Sequence, residues 1–274
     1  LPGEVRSLVL GIILQQGKQH TELQVPVRQL SVRAGENISW SGNSQQLYWN
    51  LGPELYHADI TAIFELQSDK GSKKEFAAKN GQNISFKTEA YIPEGVTAFV
   101  GGQVITMEGD DNSSVIQNGV VLVENNLIKA VGSKDEVKIP ADAKVIDITG
   151  KTIMPGLFDA HAHGSQGVNQ LIPQQNYANY ASLALGVTAI HDPSNNTQEI
   201  FTASELQKTG AIVGPRIFST GTILYGAYGP GYTSHVDSLD DAKFHLERLK
   251  KVGAFSVKSY NQPRRNQRQQ VIEA

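Results

Sequence analysis

Gly156-Leu157-Phe158-Asp159-Ala160-His161-Ala162-His163-Gly164 is the stretch on which the reading of this chain turns. It opens apolar, like a buried strand, and closes on two histidines one residue apart, followed by glycine. In extended backbone, residues i and i+2 project to one face. The spacing therefore predicts that the imidazoles of His161 and His163 leave together from the end of a strand over 157–161. Two neutral imidazoles suit Zn²⁺ or a similar divalent cation, which needs further ligands to complete its shell. Asp159 shares that face; it is placed either to orient an imidazole or to bond backbone at the floor of the fold. A bare His-x-His is also what two surface histidines look like, so the surroundings have to decide.

Downstream, the pattern alternates strand and helix. A helix over 176–185 ends at Gly186, and a strand over 187–191 follows. A helix over 197–208 ends at Gly210, and a third strand covers 216–220. A helix over 238–252, capped by Ser238 or Asp237, ends at Gly253; a fourth strand is expected at 255–258 and a fourth helix over 263–274. Strand starts at 157, 187, 216 and 255 make four βα units, hence a parallel sheet and the first half of an eight-stranded (β/α)8 TIM barrel. The two histidines then sit on the C-terminal face, where such barrels build their sites. Lys258 ends the fourth strand. His191, beside Asp192, ends the second; His235 lies in the long third loop and Tyr260 just past Lys258. These are candidate substrate contacts, and Tyr225, Tyr228 and Tyr232 are candidates to shape the pocket or a lid.

Upstream, residues 92–155 read as β structure, with strands at 97–100, 103–106, 119–123, 127–132 and 144–147. Asn125-Asn126 suits a tight hairpin, because Asn tolerates positive φ. Residues 1–91 read as all-β. Ile38-Ser39-Trp40-Ser41-Gly42-Asn43-Ser44-Gln45-Gln46-Leu47-Tyr48-Trp49 resembles the blade repeat of TolB-type β-propellers: a strand ending in Trp-Ser, a polar turn, then an aromatic strand. One or two blades do not close a ring, so the resemblance implies the tail of a larger propeller; the alternative is a generic antiparallel sheet. The Lys-rich stretch 69–83 lacks interleaved aromatics and reads as an exposed loop.

The segment Gly150-Lys151-Thr152-Ile153-Met154-Pro155-Gly156 through His163 closely resembles the entry to the first barrel strand in the amidohydrolase superfamily. Val104-Ile105-Thr106 and Asn118 through Gly132 are similar to the small β-sandwich flanking the barrel there, with Asn125-Asn126 where the family commonly has Asp-Gly. The resemblance runs from about Gly95 to the end and implies metal-dependent hydrolysis of a C–N bond, in the prolidase-like or imidazolonepropionase-like branch. It implies His161, His163 and Lys258 as ligands, with Lys258 carboxylated and bridging two ions. It also implies histidines on strands five and six and a proton-shuttling aspartate on strand eight, none of which falls within this sequence. The expected organisation is thus multidomain β plus α/β: propeller blades over 1–91, a β-sandwich over 92–155 and an incomplete barrel over 156–274.

Composition sets the remaining bounds. The chain of 274 residues has 39% hydrophobic and 19% charged residues, which suits a globular protein. A net charge of -3 gives no reason to expect nucleic acid as a partner; a small-molecule or peptide-like substrate is expected, and an oligomer is compatible. No apolar run approaches the roughly 20 residues of a membrane span. With no cysteine, a metal has to be held by His, Asp, Glu or modified Lys. The propeller resemblance and the lack of Cys favour an extracytoplasmic location. The start at Leu1, without Met or a signal peptide, suggests material upstream. A serine hydrolase is disfavoured, since no Gly-x-Ser-x-Gly occurs. The main rival is a non-catalytic propeller–barrel binding or scaffolding module.

Overall fold

The structure, a computed structural model, describes residues 6–8, 27–29, 31, 35–61, 81–109, 114–229 and 231–274. Most of the expected all-β stretch before residue 35 and most of the Lys-rich stretch 69–83 lie outside these residues. Within them, β1 (Arg6–Leu8) pairs antiparallel with β2 (Val27–Gln29). No helix among the described residues is long and apolar enough to cross a membrane.

Strands β3 (Glu36–Trp40), β4 (Gln46–Leu51), β5 (Glu54–Asp59) and β6 (Gln82–Asn83) form an antiparallel sheet in that order. The turn after Trp40 is held by Ser41, whose hydroxyl accepts from the Gln46 N–H at 2.9 Å. Alternation along β4 buries Leu47 and Trp49, and Trp49 stacks on Tyr56, its partner across the ladder, at 5.8 Å. A propeller blade and a free-standing antiparallel sheet both have this strand order.

The second sheet is built on β7 (Val96–Ile105). β8 (Val115–Glu124) and β9 (Leu127–Ser133) follow antiparallel, while β10 (Lys144–Asp147) and β11 (Thr152–Ile153) run parallel to β7 along its other edge. The Asn125-Asn126 turn joins Glu124 to Leu127, with Asn125 at φ 57. At Gly102 the ladder shifts register, and a Cβ would lie 2.7 Å from the carbonyls of Ile148 and Lys151. The core is Ala98, Val120, Leu122 and Val137. Among the described residues these strands make one sheet. Val137 and the neighbouring Ile139, both outside any strand, pack on its core face.

The last part alternates β12 (Leu157–Asp159), α1 (Tyr177–Ala184), β13 (Val187–Asp192), α2 (Thr197–Lys208) and β14 (Arg216–Ser219). It continues with β15 (Ile223–Tyr225), β16 (Thr233–His235), α3 (Leu239–Lys251) and α4 (Arg265–Glu273). β12, β13 and β14 form a parallel sheet in that order. Asn176 and Asn196 cap α1 and α2, and Ser238 with Asp241 forms a capping box on α3. Gly186, Gly210 and Gly253 follow three of the helices at φ 84, 78 and 97, the left-handed backbone that glycine adopts without strain. Ile190 and Ile217 of the sheet pack against Ile200, Phe201 and Ala203 of α2.

Two expectations change. First, the strand carrying the histidines stops at Asp159, and residues 160–161 turn. The Asp159 carboxylate accepts the His161 N–H at 3.0 Å, which draws the backbone out of the ladder. Second, 255–258 is not a strand. Leu224, the middle residue of β15, donates to the Lys258 carbonyl at 2.9 Å and accepts from the Tyr260 N–H at 3.3 Å. β15 thus takes up these backbone groups in a single parallel bridge at Ser259.

Candidate functional site

His161 and His163 lie in the turn leaving β12. The backbone between them is tied to β13 by the Ala162 N–H, which donates to the His191 carbonyl at 3.0 Å. Ala162 packs against the α2 core. The rings of His161 and His163 stand 5.0 Å apart at 78°. Imidazoles on one tetrahedral ion, each nitrogen about 2.1 Å from it, have centroids about 5 Å apart, a separation that the pair matches. Among the described residues, no group of three or more His, Cys, Asp or Glu is arranged around a metal position.

Asp192 ends β13 and is 2% exposed. Its Oδ1 lies 3.2 Å from His163 Nδ1 and also accepts the Ser194 N–H at 2.9 Å. Its Oδ2 accepts from Asn195 Nδ2 at 2.7 Å, and the same amide nitrogen donates to the Gly164 carbonyl at 2.8 Å. A further buried amide pair, Gln166 with Asn179, ties the chain beyond the histidines to α1.

The other predicted residues fall into neighbouring clusters. His191 Nε2 is 2.8 Å from Ser256 Oγ, and its ring is 5.8 Å from Phe255. Phe255 in turn meets Phe218, and Phe218 meets Phe158, with centroids 5.6 and 6.3 Å apart. The Lys258 ammonium stands over the Tyr260 ring at 5.3 Å, and Tyr260 packs edge-on against Tyr225. An ammonium offers no lone pair, so Lys258 in this form is not a ligand. His235 stacks on Tyr228 at 4.3 Å, with Nδ1 3.7 Å from Asp237 Oδ2; Arg264 donates to the other oxygen of Asp237 at 2.8 Å. The geometry thus joins His161 with His163, Lys258 with Tyr260, and His191 with the segment leading to Lys258. A cavity of about 520 Å³ lies elsewhere, between β4, β5 and α3, lined among others by Pro53, Tyr56, Phe244 and Arg248. It holds none of these residues; donor chemistry, not enclosure, locates the site, because the face beside the histidines is open.

The Asp192 clasp and Ser256 were missed by sequence reasoning. Asp192 was legible only as a neighbour of His191. Asn195 and Ser256 make their contacts across 31 and 65 residues, and no local pattern signals that.

No family model matches the sequence. The enamidase of Eubacterium barkeri is 38% identical over 91 residues, covering 32% of this chain and 22% of that protein. An imidazolonepropionase of Bacillus cereus is 28% identical over 167 residues, covering 58% of this chain and 32% of that protein. A solved prolidase complexed with N-methylphosphonate-L-proline superimposes on 60% of this chain and 46% of its own, at 24% identity and a TM-score of 0.46. The chain spans about a fifth to a third of the length of these two curated relatives. By its sequence matches, the chain is a relative of the amidohydrolase superfamily.

Proposed function

We propose that this chain carries the opening part of a metal-dependent hydrolase site that cleaves an amide or cyclic-amide C–N bond. The observation that carries the reading is the His161–His163 pair at 5.0 Å, backed by a buried carboxylate. A bound Zn²⁺, or a pair of such ions, would polarise the scissile carbonyl and supply a water acidic enough to attack it. His161 and His163 would hold that ion. Lys258 would contribute as a carbamate, formed when its neutral amine adds CO₂ and releases a proton, because the ammonium form has no lone pair to offer. His191, His235 and Tyr260 would line the side from which a small-molecule or peptide-like substrate enters. The relatives support this chemistry by their names: an enamidase and imidazolonepropionases.

In the same proposal, 1–91 is a propeller remnant, 92–155 the flanking sandwich and 156–274 the first part of a barrel whose later strands bring the remaining ligands and the proton-shuttling aspartate. The open face of β12 supports it: Leu157 and Phe158 are 52% and 54% exposed. The chain alone is then catalytically silent. The proposal includes an extracytoplasmic location, supported by the TolB-like segment and the lack of cysteine. The rival, a non-catalytic scaffolding module, draws on the absence, among the described residues, of any group of three or more His, Cys, Asp or Glu placed to hold a metal ion.

The test is an equilibrium Zn²⁺ titration of the purified chain, in which two histidines without the remaining ligands are expected to bind weakly. Bound zinc that disappears in the His161→Ala/His163→Ala double variant is expected. No zinc in the unaltered chain, or equal zinc in both, overturns the reading. Metal-dependent amide turnover by the chain alone would overturn the claim that the site is incomplete.

A further inference from the structure

We propose that Asp192 and Asn195 form a clasp that holds His163 in the Nδ1–H tautomer and makes it the anchoring ligand of the pair, with His161 the adjustable one. The cation in question rests on the proposed function above; the clasp itself does not.

A carboxylate buried to 2% exposure is costly unless donors surround it. Asp192 has the Ser194 N–H and the Asn195 amide as neutral donors. The remaining neighbour of its Oδ1 is His163 Nδ1 at 3.2 Å. An ionised carboxylate only accepts, so the ring nitrogen facing it has to carry hydrogen. In a neutral imidazole that leaves the lone pair on Nε2. The His163 side chain is 52% exposed, so the ring is gripped on its Nδ1 side and still reached by solvent. Asn195 strengthens the arrangement with a single nitrogen: it holds Asp192 Oδ2 and the carbonyl of Gly164, the residue after His163. The acceptor and the backbone that carries the histidine are therefore set by one side chain at the start of α2.

His161 has no counterpart. Its backbone N–H goes to Asp159, and among the described residues its ring meets only the ring of His163. The two histidines are alike in sequence and unequal in the fold. A donor whose tautomer and orientation are already set loses less freedom on binding a cation; removing such an outer hydrogen-bond partner typically costs about 10- to 100-fold in metal affinity. Asp192 acts through His163 and is thus a positioning residue.

Two measurements on the full chain test this. Long-range ¹⁵N–¹H correlation on metal-free protein, at a pH where His163 is neutral, reads the tautomer directly. The Nδ1–H form is expected, and an Nε2–H form overturns the clasp. This needs no variant, so misfolding of a mutant cannot shield the proposal. Zn²⁺ titration of Asp192→Asn, with circular dichroism as a fold control, is expected to show affinity lower by about 10- to 100-fold and a shifted tautomer. Asn195→Ala is expected to show a smaller drop. Unchanged affinity and tautomer in Asp192→Asn overturn the role. If the unaltered chain binds no zinc but shows the Nδ1–H form, the metal reading fails and the clasp stands.

Discussion

The sheet built on β7 and the parallel sheet of β12, β13 and β14 draw on similar apolar residues and end differently. β7 is paired along both edges, and Ala98 on it and Val120 on the adjoining β8 are fully buried. In the parallel sheet β13, with neighbours on both sides, buries Ile190 and Asp192, and the edge strand β14 buries Ile217 and Ser219. β12 is also an edge strand, yet all its residues are exposed. Hydropathy thus marks which segments form strands, while burial depends on cover for the faces, which parallel sheets normally have on both sides: Ile217 lies in the α2 core, even at an edge. α2 covers one face here, and the row Phe158, Phe218 and Phe255 lies along the open side.

The largest contrast should be in stability. Ile200→Ala removes a fully buried side chain from the α2 core and is expected to cost about 2–5 kcal/mol by chemical denaturation. Phe158→Ser, on the open face, is expected to change stability by no more than about 0.5 kcal/mol. Equal losses would show that β12 is packed as firmly as the core and would break the comparison. A smaller effect sharpens it at the entry to β12. A Cβ at Gly156 would overlap the Thr188 side chain on β13. Gly156→Ala is therefore expected to cost about 1–3 kcal/mol, and Thr188→Ala in the same chain to restore most of it. A neutral Gly156→Ala would mean that β12 slides freely along β13.

The smallest effect concerns β3 and its contact with α3. Burial pushes the Glu36 carboxyl above its ordinary value of 4.5, against the opposing pull of Arg248 and a hydrogen bond from Gln198. A carboxyl raised in the folded state binds its proton more tightly folded than unfolded. The stability it lends is full below the unfolded value and is lost as pH rises through the folded one. Glu36→Gln should therefore raise the melting temperature at about pH 7 and leave it unchanged at about pH 4. A destabilised variant at neutral pH would show that the attraction to Arg248 outweighs burial.

The sequence was most legible where the signals are local. The closing glycines, and for α3 the cap at Ser238, located α1, α2 and α3 to within a residue or two, and Asn125 located the hairpin. It was least legible where distant groups compete for one backbone. Phe255 to Lys258 has strand composition, yet it forms no ladder, and the Lys258 carbonyl is taken by Leu224 of β15. His161 was read as strand because nothing in the pattern shows that the Asp159 carboxylate turns the chain there. The histidine pair could be read from spacing, but its inequality could not, because Asp192 meets His163 only once β13 lies beside β12.

Zinc K-edge X-ray absorption on the zinc-loaded chain tests the central claim most directly. The account predicts imidazole scattering with nitrogens at about 2.0–2.1 Å, two rings per zinc in the unaltered chain and one in His161→Ala. In His163→Ala, zinc should largely be lost. A shell of oxygens alone, or a spectrum indifferent to both substitutions, would contradict it.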